Sequence, residues 1–281
     1  MEDHIAYLND KNKTIQAGGV LTDDMISFYQ DLFSYHRKQF DRIINDPRLP
    51  KIIETDLPVS KNGKAKVDGT ALADLLLPGL APIIEIVETR NPGLHLEPLH
   101  QAVASDPGTL SRILDAVLDM DADRLNQFAI THKISPDGTI FVLINWLKPF
   151  FISLREKSDI LNPDTLDSPY CPFCGNQPDM AAIVPGSEGK RFLHCSLCEN
   201  RWAYKRIACA VCGTEDAAML EYLSAENDSR HRLDLCATCK GFMKTVCLEK
   251  FEDIEGCDLT VENILTASLD SAALKEGYHK P

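Results

Sequence analysis

Eight cysteines in the second half of this 281-residue chain fall into four Cys-x-x-Cys pairs: Cys171/Cys174, Cys195/Cys198, Cys209/Cys212 and Cys236/Cys239. Thiolates so spaced reach one metal ion from a single tight turn, and two such turns complete a tetrahedron of sulfur. Four turns therefore imply two tetra-cysteine sites. The gaps indicate which pairs share an ion. Twenty residues separate Cys174 from Cys195, and 23 separate Cys212 from Cys236, lengths that suit the hairpin of a zinc ribbon or rubredoxin-like unit. Only ten lie between Cys198 and Cys209, which reads as a connector. The module also repeats. Cys-Pro-Phe-Cys-Gly at 171–175 echoes Cys-Ala-Val-Cys-Gly at 209–213, and Arg-Phe-Leu-His-Cys at 191–195 echoes Arg-Leu-Asp-Leu-Cys at 232–236. Gly175 and Gly213 supply the positive φ that turns backbone amides toward the sulfurs, and Pro172 fixes φ inside the first turn. Redox dithiols or structural disulfides are the alternative chemistry for the same pairs.

Composition bears on that alternative. Met1 is followed by Glu2, Asp3 and His4 with no apolar run behind them, so no signal peptide is expected. The most apolar long stretch, 140–154, contains Asn145, Lys148 and Pro149 and is too short to span a bilayer. A cytoplasmic, reduced protein with no membrane insertion is the expectation, and there clustered cysteines favour metals over disulfides. Cys247 and Cys257 are read as small apolar side chains. The formal net charge is -13. It divides unevenly: 17 basic against 25 acidic residues over 1–167, 10 against 10 over 168–250, and 2 against 7 over 251–281. Two ions held by four thiolates each would make the neutral middle segment negative. A nucleic-acid-binding ribbon needs a basic surface instead, so no nucleic-acid partner is expected.

The elements that must position these cysteines follow from periodicity. The first 160 or so residues read as helical. Thr22-Asp23-Asp24 caps a helix with Met25, Tyr29, Leu32, Phe33, Phe40, Ile43 and Ile44 on its apolar side, stopped by Asp46-Pro47. Residues 58–69 are polar and read as an exposed loop. The apolar run 72–87 is interrupted by Pro78-Gly79 and Pro82, which predicts a broken helix. Leu110, Ile113, Leu114, Val117 and Leu118 recur at helical spacing over 109–120. Residues 140–157, apolar on most sides, read as a core helix carrying Trp146, Phe150 and Phe151. Residues 161–169 read as the linker, and 261–274 as a C-terminal helix. Trp202 and Tyr204 alternate with charged residues as in a strand with one buried face.

Catalytic machinery is not legible. The helical half has no Gly-rich phosphate loop, nucleophile elbow or His-Glu-x-x-His. His95, His100 and His132 lack ligand spacing. Asp115, Asp119, Asp121 and Asp123 could face a hard cation, but they lack the glycine and terminal glutamate of a calcium loop and read as a solvated face. His194 could tune Cys195 or replace a ligand. Arg191, Arg201, Lys205 and Arg206 read as a charged hairpin surface, with an acidic partner as the alternative.

The run Arg191–Glu199, then Trp202, Cys209–Gly213 and Cys236–Cys239, resembles the formate dehydrogenase accessory protein FdhE family. The likeness is dense over about 168–250 and looser along the remainder. It implies a cytoplasmic maturation factor, not an enzyme, whose partner is the catalytic subunit of formate dehydrogenase before its export. It also implies rubredoxin-like, iron-binding centres. The family's cysteine pairs correspond to Cys171, Cys174, Cys195, Cys198, Cys209, Cys212, Cys236 and Cys239. Two metal ions per chain are expected, iron or zinc, because both accept tetrahedral sulfur. A thiol or rubredoxin-like electron-transfer protein is the alternative function, and a nucleic-acid-binding zinc ribbon the remaining one. The expected fold is α+β: a helical domain over 1–165, tetra-cysteine ribbons over 166–206 and 207–250, and a helix and tail over 251–281.

Overall fold

A computed structural model describes residues 3–14, 21–49, 69–119, 121–158, 168–184, 189–224 and 228–281. The expected loop at 58–69, apart from Gly69, and most of the expected linker at 161–169 lie outside the described residues. The chain packs into two compact units, one of Met1, Asp24–Ile160 and Phe173–Asn176 and the other of Glu2–Asp23, Leu161–Pro172 and Gln177–Pro281. The sequence placed the helical domain at 1–165, whereas packing groups the first helix, α1 (His4–Thr14), with the cysteine-rich unit.

In the first unit, α2 (Asp23–Ile44) buries Leu32, Phe33, Phe40 and Ile43 along one stripe, as the periodicity requires, although Met25 remains 39% exposed. The interrupted apolar run becomes α3 (Gly69–Leu76), a 3-10 turn at Leu77–Gly79, and α4 (Leu80–Arg90). Only Pro78-Gly79 breaks it. Pro82 falls in the first turn of α4, where a missing N–H costs no helical hydrogen bond. Two helices beyond the periodic segments also form, α5 (Glu97–Ser105) and α7 (Ala122–Thr131), on either side of α6 (Pro107–Leu118). The acidic run explains α7. The Asp121 carboxylate accepts the Arg124 amide at 2.9 Å as the N-cap and, with Asp119, pairs with the Arg124 guanidinium. These aspartates are therefore helix-capping and ion-pairing groups.

The central helix α8 (Pro136–Lys157) buries Trp146, Phe150 and Phe151 completely or nearly so. The Trp146 indole donates to the Leu76 carbonyl at 2.9 Å, satisfying its one polar atom inside the core. Pro149 sits inside this helix, and the Ser153 hydroxyl donates to the Pro149 carbonyl at 2.7 Å. Among the described residues, α8 alone is long and apolar enough to cross a membrane, and 72% of its apolar window is buried within the protein.

The second unit is organised on a six-stranded sheet in the order β3-β2-β1-β6-β5-β4. The strands are β1 (Met180–Ile183), β2 (Arg191–His194), β3 (Arg201–Tyr204), β4 (Leu220–Ser224), β5 (His231–Cys236) and β6 (Phe242–Cys247). Each cysteine module contributes an antiparallel three-stranded meander. The two join through one parallel seam, Ala181 to Thr245, Ala182 to Val246 and Ile183 to Cys247. The tandem ribbons thus share a continuous sheet. Strand β3 shows the expected alternation, with Trp202 and Tyr204 buried and Arg201 and Ala203 partly exposed. Met180, Ala182, Val184, Val246 and Leu248 pack with Ile254, Cys257 and Leu259 into a core over the seam. The expected C-terminal helix forms as two segments, α9 (Leu259–Leu265) and α10 (Ala267–Lys275), parted at Thr266. The Thr266 hydroxyl donates to the Glu262 carbonyl at 2.7 Å. The Thr266 amide donates to the same carbonyl at 3.1 Å, so Thr266 caps the first segment.

Candidate metal centres

Four tight turns carry the cysteine pairs, and those at Cys195 and Cys236 lie at the ends of β2 and β5. At Cys195, Cys209 and Cys236 the same two backbone bonds close the turn. The amide of the residue after the second cysteine donates back to the first cysteine's carbonyl: Glu199 to Cys195 at 2.9 Å, Gly213 to Cys209 at 3.0 Å, Lys240 to Cys236 at 2.9 Å. The first cysteine's amide donates onward to Asn200, Thr214 and Gly241 carbonyls at 3.0, 2.8 and 3.0 Å. This geometry drives the intervening residue into the left-handed region, with φ of 76° at Gly175, 55° at Glu199, 78° at Gly213 and 60° at Lys240. Two glycines meet that demand freely, as the sequence indicated; Glu199 and Lys240 meet it at a conformational cost.

The turns gather two groups of four sulfurs, Cys171 with Cys174, Cys195 and Cys198, and Cys209 with Cys212, Cys236 and Cys239, all sulfurs in a group lying within 4.8 Å. Cys171 and Cys198 are 3.6 Å apart, Cys209 and Cys239 3.8 Å, and Cys212 and Cys236 3.9 Å. A tetrahedron with metal–sulfur bonds of about 2.3 Å has edges of about 3.8 Å, whereas a disulfide closes to about 2.05 Å. All ten cysteines are free. Both groups therefore fit a four-sulfur metal site. In the second group, amides of Val211 and Cys212 point at the Cys209 sulfur at 3.3 and 3.4 Å, and the Gly241 amide at the Cys239 sulfur at 3.3 Å. Such donors stabilise thiolate.

Electrostatics favour a cation. Burial is the largest influence on each titrating thiol of the second group and opposes ionisation. The Cys239 and Thr238 amides nevertheless hold Cys236 down to about 7, while Cys239 is pushed up to about 12 and Cys209 also rises. Neighbouring thiolates so close cannot all carry charge alone, so complete deprotonation requires a positive ion among them.

Residues around the groups have specific tasks that the sequence did not disclose. Arg191 is 3% exposed; its guanidinium donates to the Ala208 carbonyl at 2.8 Å and pairs with Asp234 at 3.2 Å. Arg201 donates to the Ile254 and Cys257 carbonyls, each at 2.7 Å. The reading of these two arginines as a charged surface is therefore corrected: both satisfy buried or half-buried acceptors. Lys205, paired with Glu215 at 2.8 Å, and Arg206 do lie toward the surface. His194 points its Nδ1 at Asp179, 2.8 Å away, and the four sulfurs beside it are all cysteine.

His4 is the largest surprise. It is 2% exposed and lies between two carboxylates, Nδ1 2.6 Å from Asp258 and Nε2 3.0 Å from Glu199. Burial opposes its charge, but the Glu199 charge and hydrogen bonds to both acids overcome it and raise the pKa to about 9. A doubly donating imidazolium satisfies both neighbours. The Glu199 side chain, which also accepts from Thr260 at 3.3 Å, is thereby fixed while its backbone holds the left-handed turn. Aligning the four cysteine turns by position would have exposed Glu199 and Lys240. No local signal marks His4, 195 positions away from Glu199.

Residues 170–206 match the family described as FdhE, central domain. A protein FdhE homologue of Aquifex aeolicus is 32% identical over 153 residues, which is 54% of this chain and 53% of that protein. One from Pseudomonas aeruginosa is 33% identical over 123 residues, covering 41% of this chain and 38% of that one. The chain thus spans about half the length, or less, of the curated relatives it matches. A crystal structure of the FdhE protein from Pseudomonas aeruginosa has a TM-score of 0.61 over 99% of this chain and 92% of that chain, at 21% identity, which establishes a common fold. In sequence at its cysteine-rich centre, and in fold along its length, this chain resembles the FdhE proteins.

Proposed function

We propose that this chain is a cytoplasmic accessory factor that binds the catalytic subunit of formate dehydrogenase and supports its assembly before export, without catalytic activity of its own. The observation that carries the reading is the pair of four-sulfur cages on one sheet, the first lying within the segment that matches the FdhE central domain. Cys171, Cys174, Cys195 and Cys198 would hold one ion, and Cys209, Cys212, Cys236 and Cys239 the other. The segments proposed along the chain are a helical one over 1–165, whose first helix packs with the sheet unit, ribbons over 166–206 and 207–250, and the helices and tail beyond. Bound iron would supply a one-electron couple, and bound zinc a redox-silent cross-link. The chain's own contribution is a scaffold: backbone bonds close the turns, amides orient and stabilise the sulfurs, and Arg191 ties the connector at Ala208 to β5 through Asp234.

Affinity capture of the full chain under anoxic conditions should retain the formate dehydrogenase catalytic subunit, and elemental analysis should give two irons or two zincs per chain. Recovery of the chain without that subunit would count against the accessory role. Recovery without metal would count against the cages. One observation favours a second reading, electron or thiol transfer: Cys212 is exposed. That reading requires rapid alkylation of cysteines with the metal retained, whereas metal-bound thiolates resist alkylation until a chelator is added.

A further inference from the structure

The two cages differ in access. Cys171, Cys174, Cys195 and Cys198 are each 0% exposed. In the second cage Cys209 and Cys236 are buried, Cys239 is half-buried and Cys212 is exposed. A cavity of about 260 Å³ also reaches this cage, lined in part by Ile207, Cys209, Val211, Tyr222, Cys236 and Phe242. Soft ligands enter a thiolate site by reaching its sulfur or its ion, so exposure of one ligand sets the route of exchange.

The turn carrying Cys236 and Cys239 has a further restraint. The His279 ring Nε2 lies 2.9 Å from the Cys239 carbonyl. The His279 amide donates to the Lys240 carbonyl at 2.8 Å, and the Phe242 amide donates to the His279 carbonyl at 3.0 Å. The Lys240 ammonium lies over the Tyr278 ring, 5.3 Å from its centroid. The segment Tyr278–His279 therefore lies along the residues that hold Cys239 in place, with Gly241 and His279 joined by one isolated parallel bridge.

We propose that the cages have separate jobs: the first is a permanent cross-link, and the second is an exchangeable centre that opens at Cys212 to an external soft sulfur donor, with Tyr278–His279 as its retaining strap. The inference rests on the reading of both cages as metal sites. In the exchange the Cys212 sulfur leaves and takes up a proton, a deprotonated external thiol occupies its place, and no electron is transferred. Cys209, Cys236 and Cys239 stay in place, held by the Val211, Cys212 and Gly241 amides and by the strap.

The test uses the full chain loaded with two zinc ions, treated with a chromogenic chelator, and sampled over time with N-ethylmaleimide and peptide mapping. Zinc should leave in two phases of one equivalent each. During the fast phase, label should appear at Cys212 and Cys239 and not at Cys171, Cys174, Cys195 or Cys198. His279→Ala should accelerate the fast phase by about tenfold, the lower range for losing a group that supports a metal ligand, and leave the slow phase unchanged. Cys212→Ser should bind one zinc and keep the slow phase, which also controls for folding. Equal release from both cages, or first label in the first cage, overturns the division of labour while leaving two metal sites standing. The backbone bonds of the strap survive His279→Ala, so an unchanged fast phase both there and in a chain ending at Gly277 overturns the strap. Failure of the intact chain to bind two zincs overturns both this inference and the metal reading beneath it.

Discussion

Gly241 shows how tightly a single position constrains the second cage. A Cβ built there would meet Val211 Cγ2 at 2.7 Å, and the Gly241 amide supports the Cys239 sulfur at 3.3 Å. Gly241→Ala is expected to weaken zinc binding by the second cage about tenfold, and adding Val211→Ala should restore most of it; chelator competition measures both. Two arginines that look alike in sequence diverge as sharply. Arg191→Ala leaves Asp234 its second guanidinium, Arg232 at 2.8 Å, but orphans the Ala208 carbonyl inside the fold, and should cost about 1–3 kcal/mol in urea unfolding. Arg206→Ala, at the surface with one bond to the Gly189 carbonyl, should stay within about 0.5 kcal/mol. His4 adds a pH dependence. Its folded pKa of about 9 exceeds the ordinary 6.5, so its contribution is complete below pH 6.5 and fades as pH rises through 9. The melting temperature should therefore fall between pH 6.5 and 9.5, and His4→Gln should flatten that decline; an equal decline in the variant would refute the assignment.

At the scale of elements, α1 and α9 are joined by a buried polar cluster. The Glu262 carboxylate, 1% exposed, accepts from the Tyr7 hydroxyl at 2.6 Å and from Arg230 at 2.5 Å, and lies 2.8 Å from His231 Nε2. Burial would raise its pKa, but hydrogen bonds from His231 and the charge of Arg230 hold it down to about 2. Its stabilisation is present above the ordinary carboxyl value of 4.5 and is lost as pH falls through 2. Glu262→Gln removes the anion from Arg230 and His231, and should cost about 3 kcal/mol at pH 7 by denaturant titration. A loss below about 0.5 kcal/mol would mean the cluster is incidental. The elements themselves were legible where one period dominates. α2, α6 and α8 follow apolar stripes, and the break at Pro78-Gly79 follows from proline. α5 and α7 were not legible because they are short and their stripes compete with polar interruptions; capping by Asp121 helps secure α7. The C-terminal helix was placed correctly but not its interruption at Thr266, because the chain leaves helical geometry there, at φ of -103° and ψ of 23°, with no glycine or proline to mark the position.

On the scale of the whole molecule, the metal reading makes the two units respond differently to chelation. The unit on Asp24–Ile160 has its own apolar core around Trp146, Phe150 and Phe151. The sheet unit has small cores and depends on its sulfur cages for cross-linking. Chelation under reducing conditions should therefore lower the thermal transition of the sheet while most helical circular dichroism persists; a single transition indifferent to chelator would refute that dependence. By itself the sequence determined the two sets of four cysteines, the repeat that pairs them and the helical character of the first unit, because turn chemistry and helical periodicity act within a few residues of chain. Tertiary structure alone decided the parallel seam of β1 and β6, the burial of Arg191, the clasp of His4 on Glu199 and Asp258, and the unequal exposure of the cages. Those depend on which distant surfaces meet, and on the water excluded when they do, for which no short stretch of sequence carries the information.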